Sequence, residues 1–156
     1  MNIGLKYLLT FLVSMAPIVE LRGAVPFGVG MGLRVLPVLI VCIIGNMIPV
    51  PFIALFIRKI FAFLRSRSKK LDDLVSKIEL RAHEKAKTIK KYERWGLYIF
   101  VAIPLPGTGA WTGALIGALM NMRLKYMIPV IFAGVVTAGI IMTIISYGAG
   151  ALIGLV

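Results

Sequence analysis

Ile103-Pro104-Leu105-Pro106-Gly107-Thr108-Gly109 interrupts the apolar stretch Trp95 to Met122, which is otherwise long enough to cross a bilayer once. Proline lacks a backbone donor and clashes with the preceding turn, and glycine costs helical order, so two of each within seven residues predict a break of at least one turn. Two arrangements satisfy that break. Either two half-helices form a re-entrant hairpin that leaves the membrane on the side it entered, or one span kinks. Bare backbone at membrane depth is tolerated only when buried in protein or lining a wet cavity. A second break is expected near the start of the chain, between Ala16 and Gly28, where Pro17, Gly23, Pro26 and Gly28 accompany Glu20 and Arg22. Neither of its flanks, Tyr7 to Val19 and Gly23 to Leu33, spans a bilayer alone.

The rest of the chain tells why lipid is the solvent. Of 156 residues, 60% are hydrophobic and the mean hydropathy is +0.96, above the usage of soluble domains. A soluble chain of this size hides only about two-thirds of its surface on folding, too little for such a composition. Val35 to Ile57 and most of Tyr126 to Val156 read as uninterrupted spans. The formal charge of +12 is local: Arg58 to Arg94 holds thirteen Lys or Arg and five acids. No aromatic platform or nucleic-acid motif accompanies it, so it reads as a cytoplasmic loop beside anionic lipid rather than as a nucleic-acid site.

These parts predict an all-α integral membrane protein of the cell membrane, multi-pass and of one domain, 1–156. Its first half, 1–57, carries a hairpin around 16–33, and its second, 95–156, a hairpin around 96–122. A basic linker, 58–94, joins them. With the linker cytoplasmic, Val35 to Ile57 runs inward, Trp95 starts from the cytoplasm and Arg123 and Lys125 mark a return to it. The hairpins then open on opposite faces, an inverted repeat of the kind that builds transport sites at mid-membrane. Within the linker, Leu71, Leu74, Val75, Ile78, Ala82, Ala86 and Ile89 form one helix face. That face is expected to lie on the membrane surface, the alternative being a partner subunit; it and the short chain suggest a homodimer.

Glu20 is the only acid outside the linker. A charge at depth costs about 2.5 to 3.5 kcal/mol on insertion scales and usually lines a wet path, so Glu20 and Arg22 are the first candidates for a substrate or ion site. A sheltered carboxylate suits proton coupling, and Arg22 with bare helix amides suits an anion. The alternative is that the two pair with each other, or with another broken segment, only to hold the fold. Pro26, Pro104 and Pro106 shape the breaks. Thr108, Trp111 and Thr112 offer hydroxyls and an indole donor, and Asn46, near Pro49 and Pro51, is placed to hydrogen-bond a broken segment. Gly109, Gly113 and Gly117, four apart, indicate close helix contact. One His, one Cys and no pair of intramembrane carboxylates leave no catalytic or metal set, so neither an enzyme nor a cofactor is expected.

Glu20-Leu21-Arg22-Gly23-Ala24-Val25-Pro26 and Ile103 to Gly113, with Gly45-Asn46, Pro49, Pro51 and the charged linker, resemble the small multidrug export protein family over essentially the whole chain. The resemblance extends distantly to the DedA superfamily, which implies paired re-entrant hairpins with acidic and arginine residues and, in some members, movement of polyprenyl-phosphate or other lipids. One departure stands out: no arginine occurs between Gly96 and Met122 to match the second hairpin's basic residue. The function implied is an ion-coupled transporter of a small amphiphile, with an anionic lipid phosphate slightly favoured. Export of cationic drugs and a non-transporting lipid-binding scaffold are the alternatives.

Overall fold

The computed structural model describes residues 2–90 and 93–152. They form eight helices: α1 (Ile3–Met15), α2 (Glu20–Gly30), α3 (Val35–Met47), α4 (Pro49–Arg67), α5 (Lys69–Lys90), α6 (Glu93–Ala102), α7 (Ala110–Leu119) and α8 (Leu124–Leu152), with no strand among the described residues. Two stretches are long and apolar enough to cross a membrane, Val35–Arg67 and Leu124–Ala149. Leu36, Ile40, Ile44, Phe52, Leu55, Phe56, Ile140 and Ile144 line their outer faces. Such apolar exteriors suit acyl chains, for which burying them yields no advantage over contact with lipid.

The expected span Val35 to Ile57 is longer than predicted. α3 and α4 join at Ile48, whose backbone angles stay helical (φ −57°, ψ −47°), and α4 carries the chain to Arg67, ten residues into the basic linker. Pro49 occupies the first position of α4, where its missing N–H is harmless. The first break is shorter than predicted: only residues 16–19 leave the helix, and Gly23 and Pro26 lie inside α2. α2 keeps its form through Pro26 because α1, α3 and α8 all pack on it, and tertiary packing outweighs local propensity. The second break, residues 103–109, is where the Pro-Leu-Pro-Gly reading put it.

α2 and α7 end alike. Leu33 donates its N–H to Gly28 O at 3.1 Å and Met122 to Gly117 O at 3.0 Å, each after a left-handed residue, Gly32 (φ 68°) or Asn121 (φ 58°). These are Schellman ends, followed by Arg34 and Arg123 in the same register. The long helices then exchange partners: α2 packs on α8 of the other half, and α7 packs on α4.

The stripe on α5 has a use other than the predicted membrane surface. Val75, Ala82 and Ala86 are buried, and α5 packs on α4, α6 and α7 of its own chain; Leu74 stays exposed. Side chains at Ile89 lie outside the described set. Arg65 of α4 ties the two helices, reaching Asp72 at 2.9 Å and Glu79 at 2.6 Å.

Glycine sets the closest approach of α1 to α3. A Cβ on Gly45 would overlap Ser14 Oγ and come within 2.8 Å of the Phe11 carbonyl oxygen, and backbone cannot yield cheaply. Gly45→Val should therefore lower stability by about 2 kcal/mol, within the usual cost of overpacking. Thermal unfolding in detergent checks this, with Gly148→Ala, whose Cβ meets open space, as the unaffected comparison.

Candidate functional site

Both breaks leave helix ends with unpaired backbone groups. In lipid each must find a partner within the protein. Glu20 starts α2 in a left-handed conformation (φ 50°) that is uncommon for a residue with a side chain. The turn is closed by its N–H, which donates to Ala16 O at 2.9 Å. This backbone sends the carboxyl group across to the second break. The Ala110 N–H donates to Glu20 Oε2 at 3.2 Å and the Trp111 N–H to Oε1 at 3.1 Å. A carboxylate from α2 thus caps the N-terminus of α7, where the helix dipole favours negative charge.

Arg22 does the converse for α6. Its Nη1 donates to Leu105 O and, at 2.6 Å, to Thr108 O; its Nη2 donates to Ile103 O at 3.1 Å and reaches Val101 O at 3.5 Å. The guanidinium fork suits this cluster of carbonyl oxygens at a helix C-terminus and an irregular turn, where only Ile103 O and Leu105 O also accept a backbone N–H, from Leu105 and Thr108. Thr108 Oγ1 closes the turn, within 2.9 Å of Ile103 O and 2.8 Å of Leu105 O, and Lys85 of α5 donates to Gly107 O. The exchange is mutual: Trp111 Nε1 donates to Met15 O at 3.1 Å, closing the C-terminus of α1. Lys6 does the same for α2 at Met31 O (2.7 Å), and Arg58 for α7 at Ala118 O (2.6 Å).

Glu20 and Arg22 make no ion pair with each other among the described residues; each is committed to the opposite break. Gly109 makes the approach possible. Its φ of 126° and ψ of −172° belong to a region open almost only to glycine, and a Cβ there would overlap the Glu20 carboxylate.

The two turns share one cavity of about 540 Å³, walled by Pro17, Ile18 and Val19 on one side and Pro104 to Thr108 on the other, with Glu20, Arg22 and Thr112 between them. Glu20 is 4% exposed, while Ile18 at the rim is 95% exposed. Of the residues singled out in sequence, Glu20, Arg22, Pro104, Pro106, Thr108 and Thr112 meet here. Trp111 adjoins them through its two bonds. Asn46 shares with Glu20 a narrow space of about 10 Å³. Pro26 does not join the site: it is on the exposed face of α2, since the helix it was expected to break continues through it. Lys85 was missed, because a lysine in a basic linker carries no mark of the turn it reaches. Gly109, read as a helix-contact residue, is the clearance for a carboxylate. Gly113 against Val101 and Gly117 against Met127 are such contacts.

The fold and these cross-caps define an all-helical membrane protein with two interrupted segments that complete each other around a shared cavity. The chain belongs to the family described as "Putative small multi-drug export protein", whose model matches residues 20–141. The match starts at Glu20, directly after the first break, and takes in the second. No curated protein and no solved structure matches the chain. Membership makes it a membrane protein of an export family, a class that is generally not enzymatic. The described residues contain no cluster of His, Cys, Asp and Glu able to hold a metal ion.

Proposed function

We propose that this chain is a small proton-coupled membrane transporter that passes an amphiphile through the cavity between its two turns. The observation that carries the proposal is the position of Glu20, a nearly buried carboxyl in the wall of that cavity, held only by two helix amides. A carboxyl in such a place exchanges a proton with the cavity and changes what the α7 N-terminus can bind. Ionised, it fills the anion site made by Ala110 and Trp111 N–H. Once protonated, it frees them for an anionic headgroup, so substrate and proton travel together. This favours an anionic lipid phosphate, its tail leaving the cavity past Ile18 and Leu105 into lipid.

Several features support a re-entrant, inverted arrangement in the cell membrane. α1 and α2, and likewise α6 and α7, are each shorter than the bilayer, and their ends match in register. Trp95, Tyr98 and Tyr126 stand together with Arg94 and Lys125, Arg94 lying 3.8 Å over the Tyr126 ring. Aromatic rings beside basic residues mark a cytoplasmic headgroup level. The α5 stripe is occupied within the chain, so a homodimer would use the lipid-facing helices instead.

A cationic drug is the second reading. Carbonyl oxygens of Leu105, Gly107 and Thr108 are held at the turn by Arg22 and Lys85, and a cation displacing Lys85 would take their place. Proteoliposomes with an imposed pH gradient decide between the readings, using a fluorescent isoprenoid phosphate and a cationic dye in parallel. Gradient-driven movement of the phosphate should exceed that of the dye, and Glu20→Gln should reduce it to the protein-free background. Unchanged gradient-driven movement in Glu20→Gln removes the coupling role. No movement of either probe by wild-type protein favours a scaffold in which the charged residues only order the turns.

A further inference from the structure

Asn46 is 3% exposed, yet its side-chain oxygen Oδ1 has no hydrogen-bond donor. A buried acceptor left unpaired is costly, and such groups in a native fold call for an explanation. α3 carries Asn46 into a narrow space of about 10 Å³ beside Glu20, whose walls include Arg22, Val101, Ala110, Val135 and Ala138. That volume is room for one water at most.

Glu20 lines this narrow space as well as the larger cavity. Ionised, it is an acceptor only, so two acceptors, Glu20 and Asn46, share one small space; of the donors on its walls, Arg22 is engaged with the carbonyls of the second turn and Ala110 N–H with Glu20, and neither bonds Asn46 Oδ1. What the pair lacks is a proton. A protonated Glu20 has an O–H to give, and Asn46 Oδ1 is the acceptor left open for it.

We propose that Asn46 receives the Glu20 hydroxyl, directly or through a single water, when Glu20 is protonated, and so holds the proton-loaded state. Asn46 acts here as a positioning residue. In the ionised state the carboxylate is turned to Ala110 and Trp111 N–H; in the loaded state its hydroxyl is turned to Asn46 and the two amides are released. One proton thereby opens the α7 N-terminus to substrate. The charged groups near Glu20 are Arg22, on its own helix, and Lys85, which reaches Gly107 from α5. From the packed elements α1, α3, α7 and α8 come the neutral Asn46 and apolar or amide groups, the Lys6 ammonium of α1 being engaged at Met31 O at the other end of α2. Cys42, the titratable group of α3, is buried one turn earlier. The inference rests on Glu20 being the proton carrier.

Infrared difference spectra between acid and alkaline pH test it in the intact protein in lipid. With side-chain ¹³C-labelled asparagine, only Asn2, Asn46 and Asn121 report, and the first and last of these are exposed. The expected result is an Asn carbonyl band that moves in step with the Glu20 carboxylic acid band and stops moving in Glu20→Gln. Asn46→Leu removes the acceptor for the protonated form, so the protonation midpoint of Glu20 should shift to lower pH and the pH profile of transport with it. A shift to higher pH would mean that the amide donates to the ionised carboxylate instead, and that overturns the proposal. So does an Asn band that stays fixed while Glu20 titrates, whether or not Asn46→Leu folds. A Glu20 band that never titrates overturns both this inference and the carrier reading, whereas a titrating Glu20 beside an indifferent Asn46 overturns this inference alone.

Discussion

Arg22→Ala should cost the protein most of its folded yield. The guanidinium group donates to Leu105 O, Thr108 O and Ile103 O and approaches Val101 O, and no other side chain reaches all of these. Each charge-assisted bond is worth about 1.5 to 3 kcal/mol. Three good ones at a half-buried position, discounted for contact with the cavity, amount to about 3 to 5 kcal/mol. That is a large part of the roughly 5 to 15 kcal/mol by which folded proteins are stable. Arg22→Lys should recover only part of the loss, since an ammonium point charge cannot span the carbonyl cluster that a planar fork does. Size-exclusion profiles and thermal melts of the two variants in detergent give the ranking, wild type above Lys above Ala. Equal melts for wild type and Arg22→Ala would mean that the carbonyls find water. Because folding and transport both depend on Arg22, a loss of flux in Arg22→Ala says nothing by itself about substrate binding; Glu20→Gln, which keeps size and shape, is the informative change.

The second large effect is expected at Gly109. Gly109→Ala forces a side chain into backbone angles that carry about 1 to 3 kcal/mol of strain, and its Cβ occupies the place of the Glu20 carboxylate. The carboxylate must then leave Ala110 and Trp111, giving up two further charge-assisted bonds, and the total exceeds about 4 kcal/mol. Pairing with Glu20→Gly offers the check. If displacement of the carboxylate is the main injury, the double variant should be no worse than Glu20→Gly plus the strain alone, a strongly non-additive cycle. Additive losses would show that Gly109 matters for its angles only.

What the chain revealed before folding was whatever acts locally. Pro104, Pro106 and Gly107 stop a helix wherever they stand, so the second break could be read directly. Glu20 and Arg22 drew notice because charge is expensive among apolar neighbours. Pro26 misled, since a single proline competes with packing from three helices and loses. The partners of the charged residues were hidden by distance: Glu20 meets residues of α7, and Arg22 the end of α6, contacts that no local spacing encodes. The α5 stripe was visible as a stripe, but periodicity marks which face is covered and not by what. Lys85 and Gly109 gave no separate signal, one being a lysine among many, the other a glycine in a row that already suggested helix packing.

The crossing of caps between the halves also bears on how the molecule is made. As residues leave the ribosome in order, the first half enters the bilayer with Met15 O uncapped, and with Glu20 and Arg22 facing hydrocarbon without their partners. Those groups stay unsatisfied until residues 101–111 have been synthesised and inserted. The nascent N-terminal half is therefore an incomplete object until the second half supplies those caps. Two fragments divided within the basic linker should gain protease resistance only when a cell produces both together.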